Sequence, residues 1–272
     1  MPSPMTLTNV TFIGGGNMAT AMIRGLAGLS PRPSITVAEP DAAKHAALTA
    51  LGALPTSDNL AAVRGASLVV LAIKPQMAAQ VVPALAPVWQ PAQVLVSILA
   101  GTPSAKLAAW LPAGARVVRA MPNTPLAIGQ GMVGLCRGAH ASEADLAAAE
   151  ALFTPCGAVL RLADESRMDA LTAVSGSGPA YVFRFAEAMF AAAESLGFTP
   201  DEARLLVDRT VSGSWEYLRQ SGFEAERLRV QVTSPGGTTA AALKTLDEGD
   251  FVGLWQRALK AAEARGQELG KG

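Results

Sequence analysis

Cysteine and histidine are both scarce in this chain. Its 272 residues hold two of each, Cys136 and Cys156, His45 and His140. Two cysteines do not make a disulfide framework, and reduced thiols in a cytosolic protein are the expectation. The four residues lack metal-ligand spacing, so no metal is expected. His45 falls on a polar helix face and His140 in an Arg-Gly-Ala-His-Ala loop, and both read as surface residues. Charge is also thin: 22 basic residues balance 22 acidic ones, and only 16% of the chain is charged. Nothing there suggests nucleic acid or an anionic membrane as a partner. No apolar run approaches the ~20 residues of a membrane span. The opening MPSPMTLTNV has neither a basic n-region nor an apolar h-region, so no secretory signal is expected. Solenoid repeats and low-complexity linkers are missing too.

What the chain does have is apolar bulk made mostly of small residues. Half of it is hydrophobic. That predicts a sizeable core, close helix packing and apolar surface left for subunit contacts. Strands are expected at Asn9–Gly14, Ser34–Glu39, Ser67–Ile73, Gln93–Ile98, Arg116–Ala120 and Gly131–Cys136. Helices fall between the early ones, at Met18–Leu29, Asp41–Leu51 and Gln76–Ala86, the last weakened by Pro83. This alternation predicts a parallel sheet with helices on both faces. The rhythm stops near residue 160. Beyond it lie helical patterns at Met168–Val174, Pro179–Leu196, Pro200–Gln220, Ala225–Gln231, Ala240–Glu248 and Phe251–Glu268. Two domains follow from this, 1–162 α/β and 163–272 all-α.

Gly14-Gly-Gly-Asn-Met-Ala19 follows a strand and opens a helix. Gly14, Gly16 and Ala19 fit the G-x-G-x-x-G/A dinucleotide fingerprint, with Asn17 and Met18 inside it. Gly14 permits the turn, Gly16 lets backbone approach a pyrophosphate, and Ala19 allows close helix–sheet packing. The first domain is therefore expected to be a doubly wound, Rossmann-like nucleotide binder. Glu39 ends the second strand, roughly 20 residues beyond Gly16, where an acidic residue meets the ribose 2′-hydroxyl. Its other reading is a solvated loop residue. A carboxylate there would repel a 2′-phosphate.

At the far end, Thr233-Ser-Pro-Gly-Gly-Thr-Thr239 runs into a helix, with Thr238 or Thr239 near its N-cap. Free N–H groups and the helix dipole suit an anion there, although an ordinary capped turn has the same pattern. Met121-Pro-Asn-Thr-Pro125 and Lys74-Pro75 both sit at strand ends, the edge where ligands of such sheets bind. Ser175-Gly-Ser-Gly-Pro-Ala-Tyr181 joins two predicted helices and is not a nucleophile elbow, since it has no preceding strand or histidine partner. A chain without histidine or cysteine machinery suits hydride transfer, where the cofactor carries the chemistry.

Together these segments resemble the pyrroline-5-carboxylate reductase family. The resemblance rests on Phe12-Ile-Gly-Gly-Gly-Asn-Met18, Ile73-Lys-Pro-Gln76, Met121–Pro125, Ser175–Tyr181 and Val232–Thr239 with Ala242-Leu243 and Leu246-Asp247. They span the chain in the family's order. The resemblance implies reduction of 1-pyrroline-5-carboxylate to L-proline with NADPH or NADH, in the cytoplasm. It implies an interlocked homodimer through the helical domain, and assembly of five dimers into a decamer. Ser234, Gly237, Thr238 and Ser175 would bind substrate. Thr239 would meet the ring nitrogen, and Glu165 would stand near the ring as a catalytic carboxylate. Asn59, Ala72, Ile73, Lys74, Pro75 and the segment Ser97 to Ala100 match cofactor-contacting positions. Thr238 departs from relatives that carry alanine, and Glu39 from members that prefer NADPH. A β-hydroxyacid dehydrogenase would need a lysine in the central helix, and Met168–Leu196 has none.

Overall fold

The computed structural model describes residues 7–271. The start of the MPSPMTLTNV segment, where no secretory signal is expected, lies outside them. The chain packs as two units, Met1–Pro179 with Lys260–Gly272, and Ala180–Leu259. The sequence boundary at 162/163 falls instead just after the sheet ends.

The first unit alternates strand and helix: β1 (Asn9–Ile13), α1 (Asn17–Leu26), β2 (Ser34–Ala38), α2 (His45–Ala50), β3 (Leu54–Thr56), α3 (Asn59–Val63), β4 (Leu68–Leu71), α4 (Ala78–Leu85), β5 (Val94–Ser97), α5 (Ser104–Ala109) and β6 (Arg116–Pro122). Next come β7 (Gly131–Arg137), α6 (Glu143–Phe153), β8 (Gly157–Arg161) and α7 (Met168–Leu171). One sheet holds all eight strands in the order β3-β2-β1-β4-β5-β6-β7-β8. Its first six are parallel in the 3-2-1-4-5-6 order of doubly wound nucleotide folds. β7 runs antiparallel to β6, and β8 follows β7 in parallel. The parallel expectation therefore ends at β6. Only a 3-10 turn, Thr124–Ile128, closed by left-handed Gly129 joins β6 to β7, too short for a crossover.

Alternate strand residues feed two cores. Phe12, Val70 and Val96 point into one with Met22, Ile23 and Leu26 of α1 and Leu152 of α6. Ile13, Val69, Leu71 and Leu95 point into the other with Val63, Val82, Leu85 and Leu107 of α3 to α5. This is the period-two signature of a sheet covered on both sides. Full burial of a Phe12-sized side chain stabilises by about 1.5–3 kcal/mol. Pro83 stays inside α4.

The second unit takes in most of α8 (Gly178–Ser195), then α9 (Pro200–Gln220), α10 (Ala225–Gln231), α11 (Thr238–Glu248) and the first part of α12 (Phe251–Lys271). Thr199 and Glu202 form a capping box at α9, with Pro200 in its first turn. Within this unit only Ala203 and Val207 are buried. Phe183, Trp215, Tyr217, Val232 and Val252 are all exposed, Trp215 by 62%. No helix among the described residues is long and apolar enough to cross a membrane.

The Gly-Ser-Gly-Pro stretch is not the open break its composition suggests. α7 continues through a π turn, Thr172–Gly176, into α8. Ser177 N–H donates to Thr172 O, five residues back, at 2.8 Å. A Cβ on Gly176 would lie 2.7 Å from the Met121 methyl, so the glycine is needed for packing as well as for turning.

Candidate active site

The glycine loop sits at the carboxyl edge of β1. Gly14 has φ +99°, and a Cβ there would lie 2.5 Å from the Ala72 carbonyl oxygen. Only glycine meets both demands. Beside Gly16 the space is open, with nothing within 4 Å of an added Cβ. Gly16 is the N-cap of α1 and makes no side-chain cap bond. The first N–H groups of α1 at Asn17 and Met18 are thus free of a side-chain partner and border open space, which fits a pyrophosphate. Ala19 is fully buried against the sheet.

Glu39 is not a solvated loop residue. It is 6% exposed, and its Oε2 accepts from the Gly15 N–H at 2.9 Å. Oε1 accepts from Asp41 N–H at 3.1 Å and Lys44 Nζ at 3.4 Å. Burial alone would raise its pKa, but the two backbone donors and the Lys44 ammonium hold it below the usual carboxylate range. The Nε2 of His45 bonds the Glu39 carbonyl at 2.7 Å, so this half-buried histidine is a loop brace. The carboxylate therefore ties the β2 end to the glycine loop, beside the ribose position expected for it.

Ala72, Ile73, Lys74 and Pro75 follow β4 along the same sheet edge, with Lys74 exposed. Asn59 starts α3 behind Asp58, which caps it through Leu60 and Ala61 N–H. Ser97 ends β5 and accepts from Leu99 N–H at 3.3 Å, bending the chain into Ala100. Asn123 of the Met121–Pro125 loop accepts from Met132 N–H at 2.9 Å and donates to Ser175 O at 3.2 Å. Ser175 thus lies on the π turn, held by Asn123 just beyond the end of β6.

Glu165 is part of a network that the sequence does not announce. Its Oε1 accepts from Ser104 N–H at 2.8 Å and from Arg119 Nη1 at 3.1 Å. Its Oε2 accepts from the Ser104 hydroxyl. Arg119 is 5% exposed and also reaches Asp169 at 3.4 Å. A lone arginine inside the apolar run Val-Val-Arg-Ala was the available signal. A buried cation needs paired anions.

In the second unit, Ser234 O accepts from Gly237 N–H at 3.0 Å across Pro235-Gly236, with Gly236 at φ +71°. Proline second and a left-handed glycine third is the pattern of a type II turn. Gly237 is the N-cap of α11 and makes no side-chain cap bond. Thr238 is the first helical residue, one step later than an N-cap role for it requires. Ser234 and Thr238 are exposed and Thr239 half-buried. A Cβ on Gly237 would strike the Ser234 hydroxyl. Hydroxyls and free N–H groups thus converge at one helix start.

Residues 165–269 match the family described as pyrroline-5-carboxylate reductase dimerisation, and residues 9–101 match the one described as NADP oxidoreductase coenzyme F420-dependent. The chain is 42% identical to the pyrroline-5-carboxylate reductase of Pseudomonas aeruginosa over 267 residues, 97% of this chain and 98% of that one. It belongs to the pyrroline-5-carboxylate reductase family. Among solved structures, the reductase of Coxiella burnetii is 35% identical with a TM-score of 0.90, covering 98% of this chain and all of that one. The Plasmodium falciparum pyrroline carboxylate reductase, solved with NADP bound, is 28% identical with a TM-score of 0.86, over 97% and 98% of the two chains. The Rossmann-like sheet and helical dimerisation domain expected from the sequence are those of this family, and the second unit lies within the dimerisation match.

Proposed function

We infer that this chain is an NAD(P)H-dependent oxidoreductase that reduces the imine of 1-pyrroline-5-carboxylate to L-proline, the last step of proline biosynthesis. The observation that carries the reading is the Ser234–Thr239 helix start, with Ser234 and Thr238 exposed, in a chain so close to reductases over its full length. The N–H groups at the start of α11 and the Ser234 hydroxyl hold the substrate carboxylate. The Thr239 hydroxyl hydrogen-bonds the ring nitrogen. Protonation of that nitrogen makes the imine carbon a better acceptor, and the proton comes from water or the threonine. Bound NADPH or NADH supplies the hydride. Gly14, Gly16, Asn17, Met18, Asn59, Ala72 to Pro75 and Ala100 hold the cofactor, with Glu39 bracing the glycine loop beside the ribose. Ser175 adds a substrate contact.

The exposed apolar side chains of the second unit support a homodimer, and five such dimers make the proposed decamer. Two buried free thiols suit the cytosol. The deciding measurement is loss of NAD(P)H absorbance with pyrroline-5-carboxylate against a blank without it. Turnover above the blank is expected, with proline as product. No turnover with either cofactor refutes the reading.

A further inference from the structure

We propose that Arg119, Glu165 and Ser104 form a latch that positions the β5–α5 loop for the cofactor, and that Glu165 acts through this placement rather than by moving protons. The idea rests on the reading above in taking NAD(P)H as the ligand and Ala100 of this loop as one of its contacts.

The loop leaves the sheet at Ser97 and enters α5 at Ser104. Its near end is held by the Ser97 hydroxyl, which accepts from Leu99 N–H at 3.3 Å. Its far end has no local cap: Pro103 is the N-cap of α5 and offers no side-chain acceptor. Glu165 fills that role from 61 residues away, taking both the N–H and the hydroxyl of Ser104. A carboxylate beside a helix start is favourable because it meets unpaired N–H groups.

Arg119 fixes Glu165 in turn. It lies in one row across the sheet with Ser97 on β5 and Cys136 on β7. Its guanidinium spans Glu165 and Asp169, which follow the last strand. The strand that ends in the loop and the segment that caps the loop are thereby tied to one buried cation.

The end of α12 closes over the same two places. A Cβ on Gly101, at φ +62° within the loop, would lie 2.8 Å from Leu269 Cβ. A Cβ on Gly266 would lie 3.3 Å from Asp169 Cβ. Three of the roughly four acceptor positions of a carboxylate are taken at Glu165, all by donors of its own unit. That is the environment of a clamp, not of a group exchanging protons with a substrate.

The test uses Glu165→Gln, Arg119→Lys and Ser104→Ala in the full-length protein. Cofactor binding is read directly by NADPH and NADH fluorescence titration, beside thermal unfolding and the pH profile of kcat. Each variant is expected to raise the cofactor Kd, by roughly tenfold for Glu165→Gln, the order for one lost supporting hydrogen bond. The Glu165→Gln, Arg119→Lys double variant is expected to bind no more weakly than the worse single, because both changes break the shared Arg119–Glu165 contact. The kcat profile should keep the wild-type limbs. Collapse of kcat in Glu165→Gln with a lost limb and an unchanged Kd overturns the latch in favour of proton transfer. A lowered melting temperature with unchanged Kd in all variants overturns it as well. If Arg119→Lys does not fold, the other two variants decide. Wild type that binds neither cofactor refutes the functional reading and the latch together, whereas equal binding by wild type and variants refutes the latch alone.

Discussion

Gly25 of α1 and Cys156, just before β8, interlock: a Cβ on Gly25 would run into the Cys156 sulfur, and would lie 3.6 Å from Cys156 Cβ. Helix and chain approach this closely because one side has no side chain. Gly25→Ala should destabilise by about 1–3 kcal/mol through overpacking. Cys156→Ala should cost about 1 kcal/mol through the cavity it leaves. In the double variant the new methyl faces the space left by the sulfur. The two changes should therefore be less than additive by roughly 1 kcal/mol. Urea unfolding of all four proteins measures the cycle, and strict additivity refutes the interlock.

Burial raises the pKa of the Cys156 thiol, and of Cys136, where Glu165 and Asp164 add to it. Groups with a raised folded pKa contribute stability that is present below the ordinary thiol range and lost as pH climbs through the folded value. Stability should fall on the alkaline side, and both thiols should resist alkylation at neutral pH until the protein unfolds. Rapid labelling of the native protein counts against this.

Glu39 predicts two separable effects. Its carboxylate disfavours a 2′-phosphate, so wild type should prefer NADH. Glu39→Ser should move the NADPH-to-NADH ratio of kcat/KM upward, on the order of tenfold. Its pKa is held low in the fold, so it contributes stability above the ordinary carboxyl range, about pH 4.3, that is lost as pH falls through the folded value. Glu39→Ser should flatten that acid limb of the stability curve. An unchanged cofactor ratio sinks the first claim, and an unchanged acid limb the second.

Thr239→Val keeps shape and removes the hydroxyl. Because the charge on the ring nitrogen changes during reduction, this variant should lower kcat and kcat/KM by roughly 10²-fold. In the proposed binding mode Ser234 meets a carboxylate charged before and after, so Ser234→Ala should mainly raise KM for pyrroline-5-carboxylate. Cofactor affinity should hold in both, since the glycine loop belongs to the other unit. Steady-state kinetics with a separate cofactor titration decide; near-normal kcat in Thr239→Val removes the role given to its hydroxyl.

Light scattering on a sizing column should give a mass of at least twice the 27.9 kDa chain. Trp215→Glu, placed on the exposed apolar surface of α9, should shift the protein toward smaller species. A wild-type mass of one chain contradicts the assembly.

Much of the fold was legible because period and punctuation agreed. α9 and α10 have the expected limits, since Pro200, Gly222 and alternating charges mark them. β1, β2, β4 and β5 fall within the predicted runs for the reason doubly covered strands are apolar throughout. β3 was missed because it is three residues long and contains Pro55. β8 was missed because it is an edge strand with exposed Ala158 and Leu160. The capping box of α6, Ser142 with Asp145, is a local signal of the helix start that the sequence carries. Strand direction at β7 leaves no trace in periodicity. At the site, the glycine loop and the Ser234–Thr239 turn were legible from backbone demands. The partners of Glu39 and Glu165 were not, because each carboxylate is defined by donors brought from other elements.

The near absence of a private interior in residues 180–259 would make folding of that unit a bimolecular matter in the proposed dimer. With only Ala203 and Val207 buried there, the proposed dimer would supply most of the helices' apolar contacts from another copy. Melting temperature should then climb with protein concentration. On dilution the helical unit should lose hydrogen-exchange protection first, while the two-faced sheet, which carries its own cores, retains it. Catalysis would switch off below the dimer dissociation constant even though cofactor binding persisted, so specific activity itself would report the monomer–dimer equilibrium.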